Sequence, residues 1–299
     1  MTRFLTTFVL VASAAVSFAQ EQPAAETAKS LISVYNAWRT SMMRKDVGSW
    51  QRLTAPHRQA EIRNRIVSEK RAFPASVFEI PAPPPPLDGL KMIHFSQKGS
   101  TAKTTFFGKI NFGVGGEPTD NLLVISFVAT GGSWRYDVAD YVNLAALPEV
   151  RKELVAGTMK YVDETSDFQA TGVVPPTPPP VNPAKYIAQV YVFCPGRTVD
   201  VQVNQISRHH FVNTKEAQIV SGGALDGQNS VSYTIKKLEG GTGKEAMTIR
   251  VYLMSEIEGT NPIKAFEYQV QEGGKLELSG NGNFKVDPAT AAKLTPQKR

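Results

Sequence analysis

Histidine and cysteine are the residue types best suited to metal binding and nucleophilic chemistry, and this chain has few of them. It contains four histidines and one cysteine in 299 residues. His209 and His210 are adjacent on a predicted strand, where neighbouring side chains point to opposite faces, so together they are poorly placed to chelate one ion. Neither an HExxH nor a CxxC spacing occurs. The sequence therefore predicts no metal and no other cofactor.

Cys194 is the single thiol, so the chain forms no internal disulfide. It ends an apolar segment, residues 191–193, directly before Pro195 and Gly196. This position predicts a buried thiol that packs as a small hydrophobic group. A nucleophile is the alternative, although no basic or histidine partner is identifiable nearby. Pairing with a cysteine of another chain stays open.

Residues 1–19 have the three parts of a secretory signal peptide. Arg3 supplies a positive start, residues 4–16 are apolar, and Ser17 and Ala19 are small residues at a cleavage site. We expect cleavage after Ala19. The apolar run is too short for a spanning helix, which needs about 20 residues. The sequence therefore predicts an exported protein, either periplasmic or secreted.

The composition is that of an ordinary folded chain, with 41% apolar and 20% charged residues. About 280 residues after the leader correspond to two domains of typical size. The formal net charge of +6 is small and spread along the chain, so we expect no nucleic-acid partner; weak attraction to anionic surfaces is the alternative. No later apolar run approaches membrane length, so we expect no membrane span in the mature chain.

The N-terminal region is predicted to begin with helices. Residues 24–44 have the period of an amphipathic helix, with apolar side chains three or four apart on one face. These are Ala28, Leu31, Tyr35, Trp38 and Met42. Asp46 can cap a short second helix, and a third helix is predicted over residues 54–71.

Strands follow these helices. Four segments with strand character are joined by short turns, which predicts an antiparallel meander. They are residues 90–97, 101–112, 121–130 and 134–141. Residues 147–161 are then predicted to be helical.

This order of elements resembles the nuclear transport factor two-like superfamily, the cone-shaped fold of SnoaL-type proteins and ketosteroid isomerases. The residues that carry the resemblance are Tyr35-Asn36-Ala37-Trp38, Arg44-Lys45-Asp46 and Trp50-Gln51-Arg52-Leu53. The resemblance covers residues 24–141 and implies an α+β cone-like domain with a curved sheet. Because this fold hosts enzymes, binding proteins and assembly modules, it does not determine a function.

The resemblance also implies where a site would be. Catalysis would need an acid or base inside the cone, and His94, Asp137 and Asp140 are the candidates, since a desolvated carboxylate has a raised pKa. Asp137 and Asp140 have opposite parity on their strand, so at most one is expected to point inward. Tyr35 and Trp38 are the candidate ligand-binding residues of the pocket wall. The alternative is that both aromatic residues are core and the carboxylates lie at the surface.

A proline-rich stretch at residues 175–183 lacks backbone donors and favours an extended, semi-rigid spacer. We therefore predict a linker, residues 162–183, between a cone-like domain of residues 20–161 and a second domain of residues 184–286.

The second domain is predicted to be entirely β. Apolar and polar residues alternate, as at Val199, Val201 and Val203, which is the pattern of half-buried antiparallel strands. Seven or eight such strands predict an immunoglobulin-like β-sandwich. Residues 287–299 are polar and basic and are predicted to form a disordered tail.

These features favour an exported, non-enzymatic, two-domain protein that binds an unknown protein or ligand at the cell envelope. One alternative is a cone-domain enzyme of isomerase or hydrolase type with an accessory β-sandwich. Another is a carbohydrate- or envelope-binding module that uses Tyr191, Tyr233 and Tyr252. A deep cone with a buried carboxylate or His94 would favour the enzyme, and a cone filled with aromatic side chains would favour the binding protein.

Overall fold

The computed structural model describes residues 13–110 and 118–296, with side chains described from residue 24 onward. Most of the predicted leader, residues 1–12, therefore lies outside the described residues. No helix in the described ranges combines the length and the apolar character needed to cross a bilayer.

The chain divides into two compact units that are not contiguous in sequence. One consists of Met1–Gln59 and Phe78–Thr177, and the other of Ala60–Val77 and Pro178–Arg299. Residues 60–77, which the sequence analysis assigns to the first domain, thus belong to the second unit.

Three helices open the described chain: α1 (Ser13–Arg44), α2 (Val47–Leu53) and α3 (Pro56–Ser68). The predicted apolar stripe on α1 is buried throughout, from 0% exposure at Leu31 to 8% at Trp38. The Asp46 carboxylate caps α2 by accepting the Ser49 N–H at 3.0 Å, as its position predicts.

The first unit contains a four-stranded antiparallel sheet in the order β1-β2-β3-β4. Its strands are β1 (Lys91–Lys98), β2 (Thr101–Ile110), β3 (Thr119–Thr130) and β4 (Ser133–Asn143). Each strand pairs with the next in sequence, which confirms the predicted meander and the mixed α+β class.

Two short helices, α4 (Pro148–Val155) and α5 (Lys160–Glu164), occupy the segment for which one helix was predicted. Gly157 lies between them with φ of +87°, a conformation that ends a helix and favours glycine. Both helices supply core residues: Leu154 and Val162 pack in one apolar cluster with β3 side chains.

The predicted linker, residues 162–183, is held by contacts within each unit rather than forming a free spacer. The first residues of this range, 162–164, are the end of α5, and Phe168 is 1% exposed. Near its end, the Asn64 side chain donates to the Pro179 carbonyl at 2.9 Å and accepts the Val181 N–H at 3.1 Å. The proline-rich composition begins only at Pro175, so the extended conformation predicted from it does not apply to the earlier part of residues 162–183.

The second unit contains eight strands between residues 188 and 286. They are β5 (Ala188–Phe193), β6 (Arg197–Val203), β7 (Ser207–Val212), β8 (Lys215–Ile219), β9 (Gly227–Lys237), β10 (Met247–Leu253), β11 (Ile263–Val270) and β12 (Ser279–Val286). They form two antiparallel sheets, β11-β10-β5-β8 and β12-β9-β6-β7. Inward side chains of both sheets, including Val190 and Val201, share one core, as the period-two pattern predicts.

The tail prediction is wrong for residues 288–294, which form α6 (Pro288–Leu294). Asp287 caps this helix by accepting the Thr290 N–H at 2.8 Å. Leu294 is 1% exposed and belongs to the core of the second unit. One buried leucine and a cap therefore order a segment whose overall composition is polar.

Candidate functional site

Asp137, a predicted catalytic residue, is hydrogen-bonded to two side chains in the first unit. The His57 Nε2–H donates to Asp137 Oδ1 at 2.8 Å, and the Arg58 Nε–H donates to the same oxygen at 3.2 Å. His57 and Asp137 are 2% and 8% exposed. They meet because the chain entering α3 runs beside β4, where the Ala55 N–H donates to the Tyr136 carbonyl at 2.7 Å.

A β-bulge in β4 positions Asp137. The pairing with β3 shifts at this point, so Tyr136 and Val138 both have partners on β3, whereas Asp137 between them has none among the described residues of that strand. Bulges redirect side chains in this way. The prediction that Asp137 and Asp140 face opposite sides assumed uninterrupted alternation, and that assumption fails at the bulge.

A histidine–aspartate pair has the chemistry of proton transfer, but little space adjoins this one. The cavity that Asp137 borders, together with residues such as Lys103 and Ser126, has a volume of about 110 Å³. Ligand pockets usually span about 300–1,000 Å³. Because His57 is almost fully buried as well, we interpret the pair as an internal connection between α3 and β4.

His94, the other predicted catalytic residue, has a different environment. Its Nδ1 lies 3.6 Å from the Asp163 carboxylate, and its side chain is 16% exposed. Its Nε2 is buried without a hydrogen-bond partner among the described residues. His94 lies on β1 and Asp137 on β4, the two outer strands of the sheet. The structure therefore does not bring the two candidates together.

Tyr35 and Trp38, the predicted ligand-binding residues, form an aromatic cluster with Tyr136. The rings of Trp38 and Tyr136 stack at 3.7 Å, and Tyr35 lies 5.8 Å and 6.1 Å from them. Tyr35 is fully buried, and its hydroxyl donates to the Pro85 carbonyl at 2.8 Å. Burial raises the pKa of both tyrosines above the ordinary value. The rings pack against one another as core.

Two further candidates, Cys194 and His209, are also accounted for by packing, and partial desolvation raises the pKa of the Asp140 carboxyl on β4. Cys194 is fully buried, as predicted, and burial raises the pKa of its thiol. His209 Nδ1–H donates to Gln218 Oε1 at 3.1 Å, and its Nε2 accepts the Ser207 hydroxyl at 2.7 Å. The side chain of His210 is exposed on the opposite face. Within the described ranges, no group of three histidine, cysteine or acidic residues is arranged to hold a metal.

A groove of about 600 Å³ lies on the outer face of the β12-β9-β6-β7 sheet in the second unit. The antiparallel register arranges the outward side chains of this sheet in two rows that cross all four strands. The first row is His210, Asp200, Thr234 and Ser279, and the second is Arg208, Gln202, Ser232 and Asn281. Every side chain in both rows is polar.

Inward-facing residues hold these rows in place. Val201 and Tyr233, which alternate with the groove residues, are 2% and 6% exposed and belong to the core. Gly280 pairs with Tyr233 in the register, and a Cβ at Gly280 would collide with the tyrosine ring and hydroxyl. The glycine therefore allows β12 to cover Tyr233 and to carry Ser279 and Asn281 into the rows.

Most groove side chains are available for hydrogen bonds. His210 Nδ1–H donates to Asp200 Oδ1 at 2.7 Å. The other six row residues make no side-chain hydrogen bond to any residue that the structure describes. Asp200 and Arg208 carry opposite charges, so the formal charge of the two rows is zero with neutral histidine.

Sequence reasoning missed both His57 as the partner of Asp137 and the groove as a surface. A helix start predicted near Thr54 indicated that His57 lies in the first turn of α3. The contact between His57 and Asp137 on β4 depends on tertiary packing, which the local pattern does not report. The alternation of β6 and β9 showed which residues face outward, but the strand order determines which of them become neighbours.

No protein-family model, curated protein or solved structure matches this chain. Its function is therefore inferred from its own residues and geometry.

Proposed function

We propose that this chain is an exported, non-enzymatic protein that binds a ligand through the groove on its second unit. One observation carries the proposal: a groove of about 600 Å³, within the usual range of ligand sites, is lined by polar side chains that, apart from Asp200 and His210, make no hydrogen bond within the described structure. Such groups are free to bind a ligand because no internal hydrogen bond must be broken first.

The signal-peptide pattern of residues 1–19 supports a periplasmic or secreted location at the cell envelope. The packing of the α1 stripe and the antiparallel meander supports a cone-like fold for the first unit. Two four-stranded sheets with one shared core support an immunoglobulin-like sandwich for the second. The aromatic cluster of Tyr35, Trp38 and Tyr136 favours a filled cone over an open catalytic one.

Groove-blocking variants test this proposal. Thr234→Trp places a large ring in the first row, whereas Gln228→Trp places the same ring on an exposed position of the same strand, β9, four residues from the nearest groove residue, Ser232. We expect a ligand from a panel of neutral oligosaccharides, anionic oligosaccharides and short peptides to bind the wild type and the Gln228 variant, but not the Thr234 variant. Binding that is absent for every class, or equal in all three proteins, would refute the proposal.

An enzyme in the first unit is the second candidate, favoured by the buried contact of 2.8 Å between His57 and Asp137. Asp137→Asn nearly preserves the side-chain volume while removing the carboxylate. We expect neither the wild type nor this variant to show isomerase or hydrolase activity in a substrate screen. A reproducible wild-type activity that Asp137→Asn abolishes, with the fold retained, would instead support the enzyme.

A further inference from the structure

We propose that the groove binds a neutral polyhydroxylated ligand, an uncharged oligosaccharide. This inference rests on the proposed function and names its ligand class. It follows from the composition of the two rows, their charge and the absence of apolar side chains among them.

Hydrogen-bonding chemistry is the first argument. Gln202 and Asn281 each present an amide that donates and accepts, and Ser232, Thr234 and Ser279 each present a hydroxyl that does both. Neighbouring strands lie about 4.8 Å apart, so each row offers donors and acceptors at regular intervals. A sugar hydroxyl also both donates and accepts, so a series of such hydroxyls can be satisfied across the rows.

Charge is the second argument. Asp200 is hydrogen-bonded to His210 at 2.7 Å, and Arg208 is the one side chain of the two rows that is always positively charged. A nucleic acid or another polyanion is held by several cations, and single strands are also held by stacking on aromatic rings. The outward side chains of the rows have neither feature, so a ligand without net charge is the better match.

The absence of an apolar centre is the third argument. Protein interfaces usually have an apolar core surrounded by a polar rim. Among the groove residues, Val201 and Tyr233 point into the core of the unit, so the exposed side chains of the rows are polar from edge to edge. The two rows therefore lack the apolar centre of a typical protein interface, and the exposed Val212 lies beside them rather than among the groove residues.

The tyrosines from which a carbohydrate function was predicted do not form this site. Tyr233 is buried beneath the groove. Tyr191 and Tyr252 lie on the other sheet, with their rings at 73° to each other.

Titration calorimetry on the full chain tests the inference with cellotetraose, maltotetraose and chitotetraose as neutral probes. A heparin tetrasaccharide and an uncharged Gly-Ser tetrapeptide are the comparison probes. The variants are Gln202→Ala and Asn281→Ala, with Asn283→Ala as the control outside the groove. Thermal unfolding of each variant verifies that it is folded.

We expect at least one neutral tetrasaccharide to bind, and each groove variant to weaken it about fivefold, the effect of one lost hydrogen bond. The control should leave the affinity unchanged. Groove-dependent binding of only the anionic probe or the peptide would overturn the oligosaccharide inference and leave the binding function standing. If no probe binds, or if neither groove variant weakens the binding, both the oligosaccharide inference and the proposed binding function would be overturned.

Discussion

Replacing Asp137 by alanine should destabilise the first unit by about 3 kcal/mol. The carboxylate accepts hydrogen bonds from His57 and Arg58, and alanine removes this acceptor from both donors. The two donors differ in exposure: the His57 side chain is 2% exposed and the Arg58 side chain 29%. His57 would therefore keep an unsatisfied buried N–H, which costs about 1–3 kcal/mol, whereas Arg58 can reach water and contributes about 1 kcal/mol or less.

Tryptophan fluorescence during urea unfolding measures this effect selectively. All three tryptophans, Trp38, Trp50 and Trp134, belong to the first unit, so the signal reports on that unit alone. Asp88→Ala is the matched control, since Asp88 is an exposed carboxylate of the same unit. It should change the free energy of unfolding by less than about 0.5 kcal/mol.

A double-mutant cycle isolates the contact itself. If His57 and Asp137 stabilise each other, combining His57→Ala with Asp137→Ala should cost about 2 kcal/mol less than the sum of the single changes. A coupling below about 0.5 kcal/mol, the usual scatter for independent sites, would refute the interpretation of the pair as an internal connection.

Three further predictions concern the thiol, the buried histidine and the leader. Cys194→Ser should lower the free energy of unfolding by about 1–3 kcal/mol, because it buries a hydroxyl; rapid labelling of the native thiol by a disulfide reagent would contradict its burial. Burial lowers the pKa of His209 below 6.5, so the unfolded state binds more protons and stability should fall as pH drops below 6.5. His209→Gln should flatten that dependence in urea unfolding, and an unchanged slope would count against it. N-terminal sequencing of exported protein should begin at Gln20, and recovery of exported protein that retains residues 1–19 would exclude the predicted cleavage.

Local patterns predicted the elements of this chain well where one short segment carries the whole signal. The α1 stripe and the alternation at Val199, Val201 and Val203 report directly which side chains are buried. Asp46 caps α2 through a residue three positions away. The same kind of signal is present at Asp287 and Pro288, a cap followed by a first-turn proline, but the polar composition of the tail indicates disorder instead.

Long-range features could not be predicted in this way. His57 and Asp137 are 80 residues apart, and their contact depends on a bulge that interrupts the alternation used to orient Asp137. The groove depends on a strand order, β12-β9-β6-β7, in which sequence neighbours are mostly not spatial neighbours. Asp200 and Ser279 thus share a row although the five strands from β7 to β11 lie between β6 and β12 in sequence.

In this protein, a structural contact differs from a candidate site in whether its polar groups are already hydrogen-bonded within the fold. In the first unit, the buried ionisable pair His57 and Asp137 is satisfied internally, and the adjoining cavity of about 110 Å³ leaves little room for a ligand. In the second unit, Gln202 and Asn281 face a space of about 600 Å³ and form no side-chain hydrogen bond within the described structure. A ligand at the first location would have to compete with bonds that stabilise the fold, whereas a ligand at the second would replace only water. Of these two locations, the groove is therefore the one where binding costs the fold less, and the one where substitutions should alter binding without altering stability.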